Sequence, residues 1–190
     1  VVMKKIVTLA LSMLLSFPIF ANAAAQSWLI VPDESSIGFT GTQNGAPVKG
    51  SFKTFTGDIQ FDPKQLAVSS VRIEVNMTSI ATPYSDLTST LVTPDWFNTN
   101  VFPKAIFTAK EFAQIGEHQF QAKGELTIRD KKVPVMVVFN LDELPNNKDR
   151  VVGMFTVKRT DFGVGQGEWS STSEVKDEVD VDFVITALKK

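Results

Sequence analysis

Most enzyme chemistry needs a nucleophile, a metal ligand or a proton carrier, and this 190-residue sequence is poor in all three. It has no cysteine and a single histidine, His118. Thiol nucleophiles, thiolate metal sites, iron–sulfur clusters and covalently attached c-type haem are excluded, and a zinc site would lack its usual His and Cys ligands. His118 lies in Gly116-Glu117-His118-Gln119, a hairpin-turn pattern that makes it solvated surface rather than a general base. No G-x-S-x-G elbow is present, and no second histidine could complete a triad. Glu174, Asp177, Glu178, Asp180 and Asp182 lack the looped spacing of a calcium site. Alternation puts Glu178, Asp180 and Asp182 on the wet face of one strand, where charge discourages pairing with other chains. Gly163-Val164-Gly165-Gln166-Gly167 precedes no helical pattern and is a loop rather than a phosphate cradle. The expectation is a protein with no catalytic residues, no metal and no cofactor.

Aromatic carbon is abundant instead. There are 15 Phe and 3 Trp against one Tyr, and such a hydroxyl-free set suits an interior without polar partners. Phe39, Phe52, Phe55, Phe61, Phe97, Phe107, Phe112, Phe120, Phe155 and Trp169 are spread along most of the chain. Ordinary core packing accounts for any one of them. Together they fit either a solid core or the wall of a cavity, so the elements that hold them matter.

Those elements are strands. Val71 to Met77 alternates strictly, with apolar residues at odd numbers, and Val179, Val181, Phe183 and Ile185 repeat the pattern. Phe120, Ala122, Gly124, Leu126 and Ile128 make a third apolar face, and Val133, Val135, Val137 and Phe139 a fourth. Shorter runs cover Trp28–Val31, Ile37–Thr42, Gly50–Thr56, Asp58–Phe61, Ala105–Phe112 and Val151–Arg159. Pro32-Asp33, Asn44-Gly45, Asp62-Pro63, Gly116-Glu117 and Pro145-Asn146-Asn147 mark turns, and Gly57 reads as a bend or bulge. The fold class is therefore all-β: one antiparallel domain of roughly eight strands, either a sandwich or a barrel. Closure removes exposed edges, which favours the barrel.

Ser79–Pro103 breaks the pattern and is long for a hairpin link. Ser85 is placed to cap a short helix with Leu87 and Leu91 on one face, and Thr93-Pro94-Asp95 reads as a second helix start. This predicts a short helical crossover over about residues 83–98, packed across one mouth of the barrel.

The first residues set the location. Lys4 and Lys5 precede the apolar run Ile6–Phe20, and Ala21-Asn22-Ala23 offers a small-x-small cleavage site. This is the pattern of a secretory signal peptide over residues 1–23, with Met3 as initiator, a cut after Ala23 or Ala25, and a mature domain over 24–190. The run is shorter than the roughly 20 residues that span a bilayer, so the mature protein is not expected to be integral to a membrane. Removing Lys4 and Lys5 takes the formal charge from −2 to −4, and a mildly acidic domain has no electrostatic reason to bind nucleic acid.

The order of segments resembles the YceI-like family. The residues that carry it are Trp28-Leu29-Ile30-Val31-Pro32-Asp33-Glu34-Ser35-Ser36-Ile37-Gly38-Phe39, Gly50-Ser51-Phe52-Lys53-Thr54-Phe55 with Ile59-Gln60-Phe61-Asp62-Pro63, Asp95-Trp96-Phe97, Phe102-Pro103-Lys104-Ala105-Ile106-Phe107, Gly124-Glu125-Leu126-Thr127-Ile128-Arg129, and Arg159-Thr160-Asp161-Phe162-Gly163-Val164-Gly165. Two positions depart from the family pattern: Asp130 stands where a glycine is usual, and Gln43 where many members carry histidine.

The resemblance implies a periplasmic, lipocalin-like barrel that holds an isoprenoid lipid, either a polyisoprenoid or a quinone-like amphiphile; a homodimer is a separate expectation for its assembly. The apolar cavity residues would then be Phe39, Phe52, Phe55, Phe61, Trp96, Phe97, Phe107, Phe120, Leu126, Phe155, Phe162 and Trp169. Gln43, Arg129, Arg159 and Asp161 are the candidates for a polar mouth, with a structural clamp as the competing role for Arg159 and Asp161. Two further readings predict different interiors. An enzyme acting on a sequestered lipophilic substrate would show a buried carboxylate of raised pKa. A stress-related interaction protein without a small ligand would show an exposed apolar patch.

Overall fold

The computed structural model describes residues 24–190; the expected signal segment lies outside the described residues. Eleven strands alternate apolar and polar residues as their sequences require, and they close into an antiparallel barrel. Three of its staves are broken in two. β1 (Ser27–Ile30) and β2 (Ser36–Gln43) form one stave, parted by a 310 turn at Pro32–Glu34. β3 (Ala46–Phe52) and β4 (Phe55–Gln60) form the next. β5 (Ser70–Asn76) and β6 (Ile80–Ala81) flank a 310 turn at Met77–Ser79. Five long strands complete the wall: β7 (Lys104–Gln114), β8 (Gln119–Ile128), β9 (Lys131–Leu144), β10 (Lys148–Lys158) and β11 (Glu178–Lys189). β11 closes the ring on both halves of the first stave, with Trp28 opposite Lys189 and Phe39 opposite Val181.

Local residue choices explain the breaks and turns. Asn44 and Gly45 both have positive φ (49° and 79°), the conformation that tight hairpins need and these residues tolerate. Pro47 and Pro134 lie inside strands, yet each sits where a neighbouring strand pairs on one side only. A missing N–H therefore breaks no ladder bond. In the turn from β8 to β9 the left-handed residue is Arg129 (φ 56°), so Asp130 stands at a position without glycine's special conformation.

The structure corrects two strand expectations. The run Gly50–Thr56 is not one strand, because the chain breaks at Lys53-Thr54. Gly57 makes no bend: an added Cβ would lie 2.6 Å from Ile30 Cδ1 and 2.9 Å from Ile73 Cδ1, so this glycine gives its space to neighbouring side chains. The irregular register falls instead at Ala109/Glu111 in β7.

The crossover contains a single helix, α1 (Ser85–Leu91). Tyr84 rather than Ser85 occupies its N-cap, without a side-chain cap bond. Thr93-Pro94-Asp95 forms turns rather than a second helix, and Thr93 Oγ1 donates 2.6 Å to the carbonyl of Thr90. Leu87 and Leu91 face inward as their spacing predicts and help cover the end of the barrel that carries the β2–β3 hairpin. Outside the barrel, Met136, Val152 and Met154 are exposed on β9 and β10.

Candidate functional site

The barrel is not filled solid. A cavity of about 480 Å³ runs inside it, and all three tryptophans, Trp28, Trp96 and Trp169, border it. A pocket of roughly 300–1,000 Å³ is the usual size for one small ligand.

One end is closed by aromatic packing. Phe61 lies edge-on to Phe112 (5.3 Å between ring centroids), Phe120 (5.6 Å) and Phe139 (5.9 Å), while Phe120 stacks on Phe139 at 5.8 Å. Phe61, Phe112 and Phe139 face the cavity. Trp28 donates its Nε1–H to the Phe61 carbonyl at 2.8 Å, which satisfies a buried polar group and pins the floor.

The walls come from the inward set of each strand: Ile73 of β5, Phe107 of β7, Leu126 of β8, Val137 of β9, Val151 and Phe155 of β10, and Val181, Phe183 and Ile185 of β11. At the mouth stand Leu87 and Leu91 of α1, with Phe52, Trp96, Phe97, Phe162, Val164 and Trp169. The Phe39, Phe52 and Phe97 rings meet one another at 5.8–6.3 Å, and Trp96 and Trp169 at 5.6 Å. The indole Nε1 of Trp96 is buried without a partner among the described residues.

Two arginines hold these mouth loops. Arg159, 3% exposed, donates to the carbonyls of Val164, Gly165, Ser171, Val175 and Lys176 at 2.8–3.3 Å. All of its donor groups are thereby engaged with backbone. Burial pushes the Arg159 pKa below the usual guanidinium value and nearby Asp177 opposes that shift. Arg129 donates to the carbonyls of Pro94 (2.7 Å) and Trp96 (2.5 Å) and lies over the Phe102 ring. The amides of Gly165 and Gln166 both donate 2.8 Å to the Asp95 carbonyl. The Asp-Trp-Phe and Phe-Gly-Val-Gly segments, far apart in sequence, thus form one supported rim.

The structure places the expected residues as follows. Phe39, Phe52, Phe61, Trp96, Phe97, Phe107, Leu126, Phe155, Phe162, Trp169, Gln43 and Arg159 border the cavity. Phe120 does not: it is 2% exposed and forms the layer beneath the floor. Phe55 is half-buried beside the strand break and also lies off the cavity. Arg129 clamps a loop outside it, and Asp161 is exposed in the 310 turn Arg159–Phe162, away from it. Arg159 borders the cavity but has the geometry of a clamp. Residues that the sequence reading left out of the site include Trp28, Phe139, Phe183, Leu87, Leu91, Asp86, Asp149 and Lys176. Phe139 and Phe183 share the alternation of their strands and could have been added on that ground; nothing local in the sequence marks Asp149.

Asp149 faces the cavity beside Val151, and burial raises its pKa above the ordinary aspartate value, with Lys189 opposing and Glu143 reinforcing the shift. Among the described residues no group of three His, Cys, Asp or Glu side chains could hold a metal ion, and no helix is long and apolar enough to cross a membrane.

Comparison with known proteins matches this architecture. BcnA of Burkholderia cenocepacia, a solved structure, superposes with a TM-score of 0.79 at 28% identity, over 83% of this chain and 98% of that one. A structure described as a polyisoprenoid binding domain from Saccharophagus degradans has a TM-score of 0.71 at 13% identity, covering 87% and 99%, and shares the fold. A UPF0312 protein of Vibrio cholerae is 25% identical over 167 residues, 85% of this chain and 88% of its own. The YceI-like domain family matches residues 28–187, from Trp28 of the floor through the last wall strand, and the chain belongs to that family.

Proposed function

We propose that the protein is a periplasmic carrier that sequesters an amphiphilic isoprenoid lipid, a polyisoprenoid or a quinone-like molecule, in the barrel cavity. The carrying observation is the cavity itself: space for a ligand, walled mostly by Phe, Trp, Leu, Ile and Val, with few polar side chains along it. The family membership and the polyisoprenoid binding of the Saccharophagus degradans relative support the same reading. Burying a methylene gains about 0.8 kcal/mol relative to water, so a prenyl tail has ample reason to enter. A bilayer is equally apolar, so the carrier must compete through close packing and contacts to the head group. Export by the amino-terminal segment and self-association as a homodimer belong to the same proposal.

The test is to express the chain with its own export signal, purify it without detergent and identify organic-extractable material by mass spectrometry. Stoichiometric isoprenoid or quinone supports the carrier reading. An empty protein that also takes up no such lipid when offered would sink it. One observation favours an enzyme instead: Asp149 is a carboxylate of raised pKa facing the cavity. That reading requires a chemically altered ligand in the extract of the wild type and an unaltered one in Asp149→Asn.

A further inference from the structure

Resting on the carrier reading, we propose that Gln43, Asp86 and Lys176 form a head-group site selective for an uncharged, oxygen-bearing head, a hydroxyl or carbonyl, over a phosphorylated one. The three come from separate elements and border the same end of the cavity. Gln43 ends β2 and its backbone bridges to Val175; Lys176 donates its backbone N–H to Thr42, which places it on the adjoining segment; Asp86 lies in the first turn of α1 above them. Among the described residues no hydrogen bond or ion pair engages any of these three side chains. With the buried Trp96 Nε1 they are uncommitted polar groups of the rim.

The cationic alternatives are already committed. Arg159 has its donors on five backbone carbonyls, and Arg129 is turned to the Pro94–Trp96 loop off the cavity. A phosphate or diphosphate is held best by a bidentate guanidinium fork or by concentrated positive charge. Here it would meet no open fork and one lysine balanced by one aspartate, while Asp177 offsets the charge of Arg159. An uncharged head suits the same trio. The Gln43 amide both donates and accepts, Asp86 accepts from a hydroxyl, and Lys176 donates to a carbonyl or hydroxyl oxygen.

Three ligands with one tail test this: farnesol, farnesyl diphosphate and farnesene, titrated against tryptophan fluorescence in detergent-free buffer. Farnesol is expected to bind at least about tenfold more tightly than the diphosphate. Gln43→Met, which keeps the length and removes the amide, should weaken farnesol by about three- to tenfold relative to farnesene. Asp86→Asn should raise affinity for the diphosphate several-fold. Diphosphate binding as tight as farnesol, or a ranking that neither substitution alters, overturns the site while leaving the carrier reading standing. Failure of the wild type to bind even farnesene overturns the carrier reading and the head-group site with it.

Discussion

Phe39 on β2 lies directly opposite Gly50 on β3, and its ring occupies the space where a side chain at position 50 would begin: an added Cβ would come within 2.6 Å of Phe39 Cε1. The contact is with the outer part of a side chain that also borders the cavity. Gly50→Ala should therefore push the ring inward, reduce the cavity and weaken ligand uptake, at a stability cost toward the low end of the roughly 1–3 kcal/mol typical of overpacking. Uptake and Tm measured together check this, and unchanged uptake would contradict it.

The Gly153–Phe183 pair looks alike but should behave differently. Phe183 is directly opposite Gly153, with Cζ 2.5 Å from an added Cβ, but the backbone carbonyl of Val138 on β9 lies 2.6 Å away on the other side. A ring can swing aside, whereas a carbonyl in a strand ladder cannot do so without losing pairing. Gly153→Ala should thus lower stability more than Gly50→Ala, by about 1–3 kcal/mol or above. Denaturant unfolding of the two variants side by side is the check.

Arg159→Lys tests the clamp. A lysine keeps the charge but presents three donors on one nitrogen and cannot reach five carbonyls held in a fixed fork. The expected result is faster hydrogen exchange over residues 163–176 and a fall in Tm, because buried carbonyls lose their partners at about 1–3 kcal/mol each when left unpaired. If Lys is tolerated without either change, the guanidinium does not organise the rim.

The strands were legible in the sequence because a period of two and a buried face leave the same mark on any half-buried sheet: Val71–Met77 and Val179–Ile185 could hardly be read otherwise. The inward phenylalanines followed from the same alternation. What could not be read was depth along the barrel. Phe120 and Phe139 alternate inward alike and are cross-strand partners, yet only Phe139 faces the cavity, and which ring lies above the other is set by tertiary stacking. The arginines misled for another reason. Arg129 and Arg159 stand in polar loop motifs near the mouth, but their partners are backbone carbonyls from distant segments, which side-chain identity does not announce. Pro47 hid the first half of β3, because proline argues against a strand unless the free edge is known.

The final prediction concerns Asp149 and pH. Its folded-state pKa is raised, chiefly because burial disfavours the charged form, so the folded protein holds this proton more tightly than the unfolded chain does. The associated stability is fully present below the ordinary aspartate pKa and is lost as pH rises through the raised folded value. Asp149→Asn removes that loss, since the amide cannot ionise. The variant should match the wild type in acid and exceed it in stability above the raised pKa, with the gap opening only within that window. Surface carboxylates add pH dependence of their own. Glu74, whose pKa is lowered by its hydrogen bond to Lys104, acts in the opposite sense, but it is common to both proteins and cancels in the difference. Urea unfolding of both proteins from acid to neutral pH gives the curve directly. A difference that is constant across pH, or that grows toward acid, would mean that the Asp149 carboxylate is solvated in the folded barrel and that its place at the cavity wall carries no penalty.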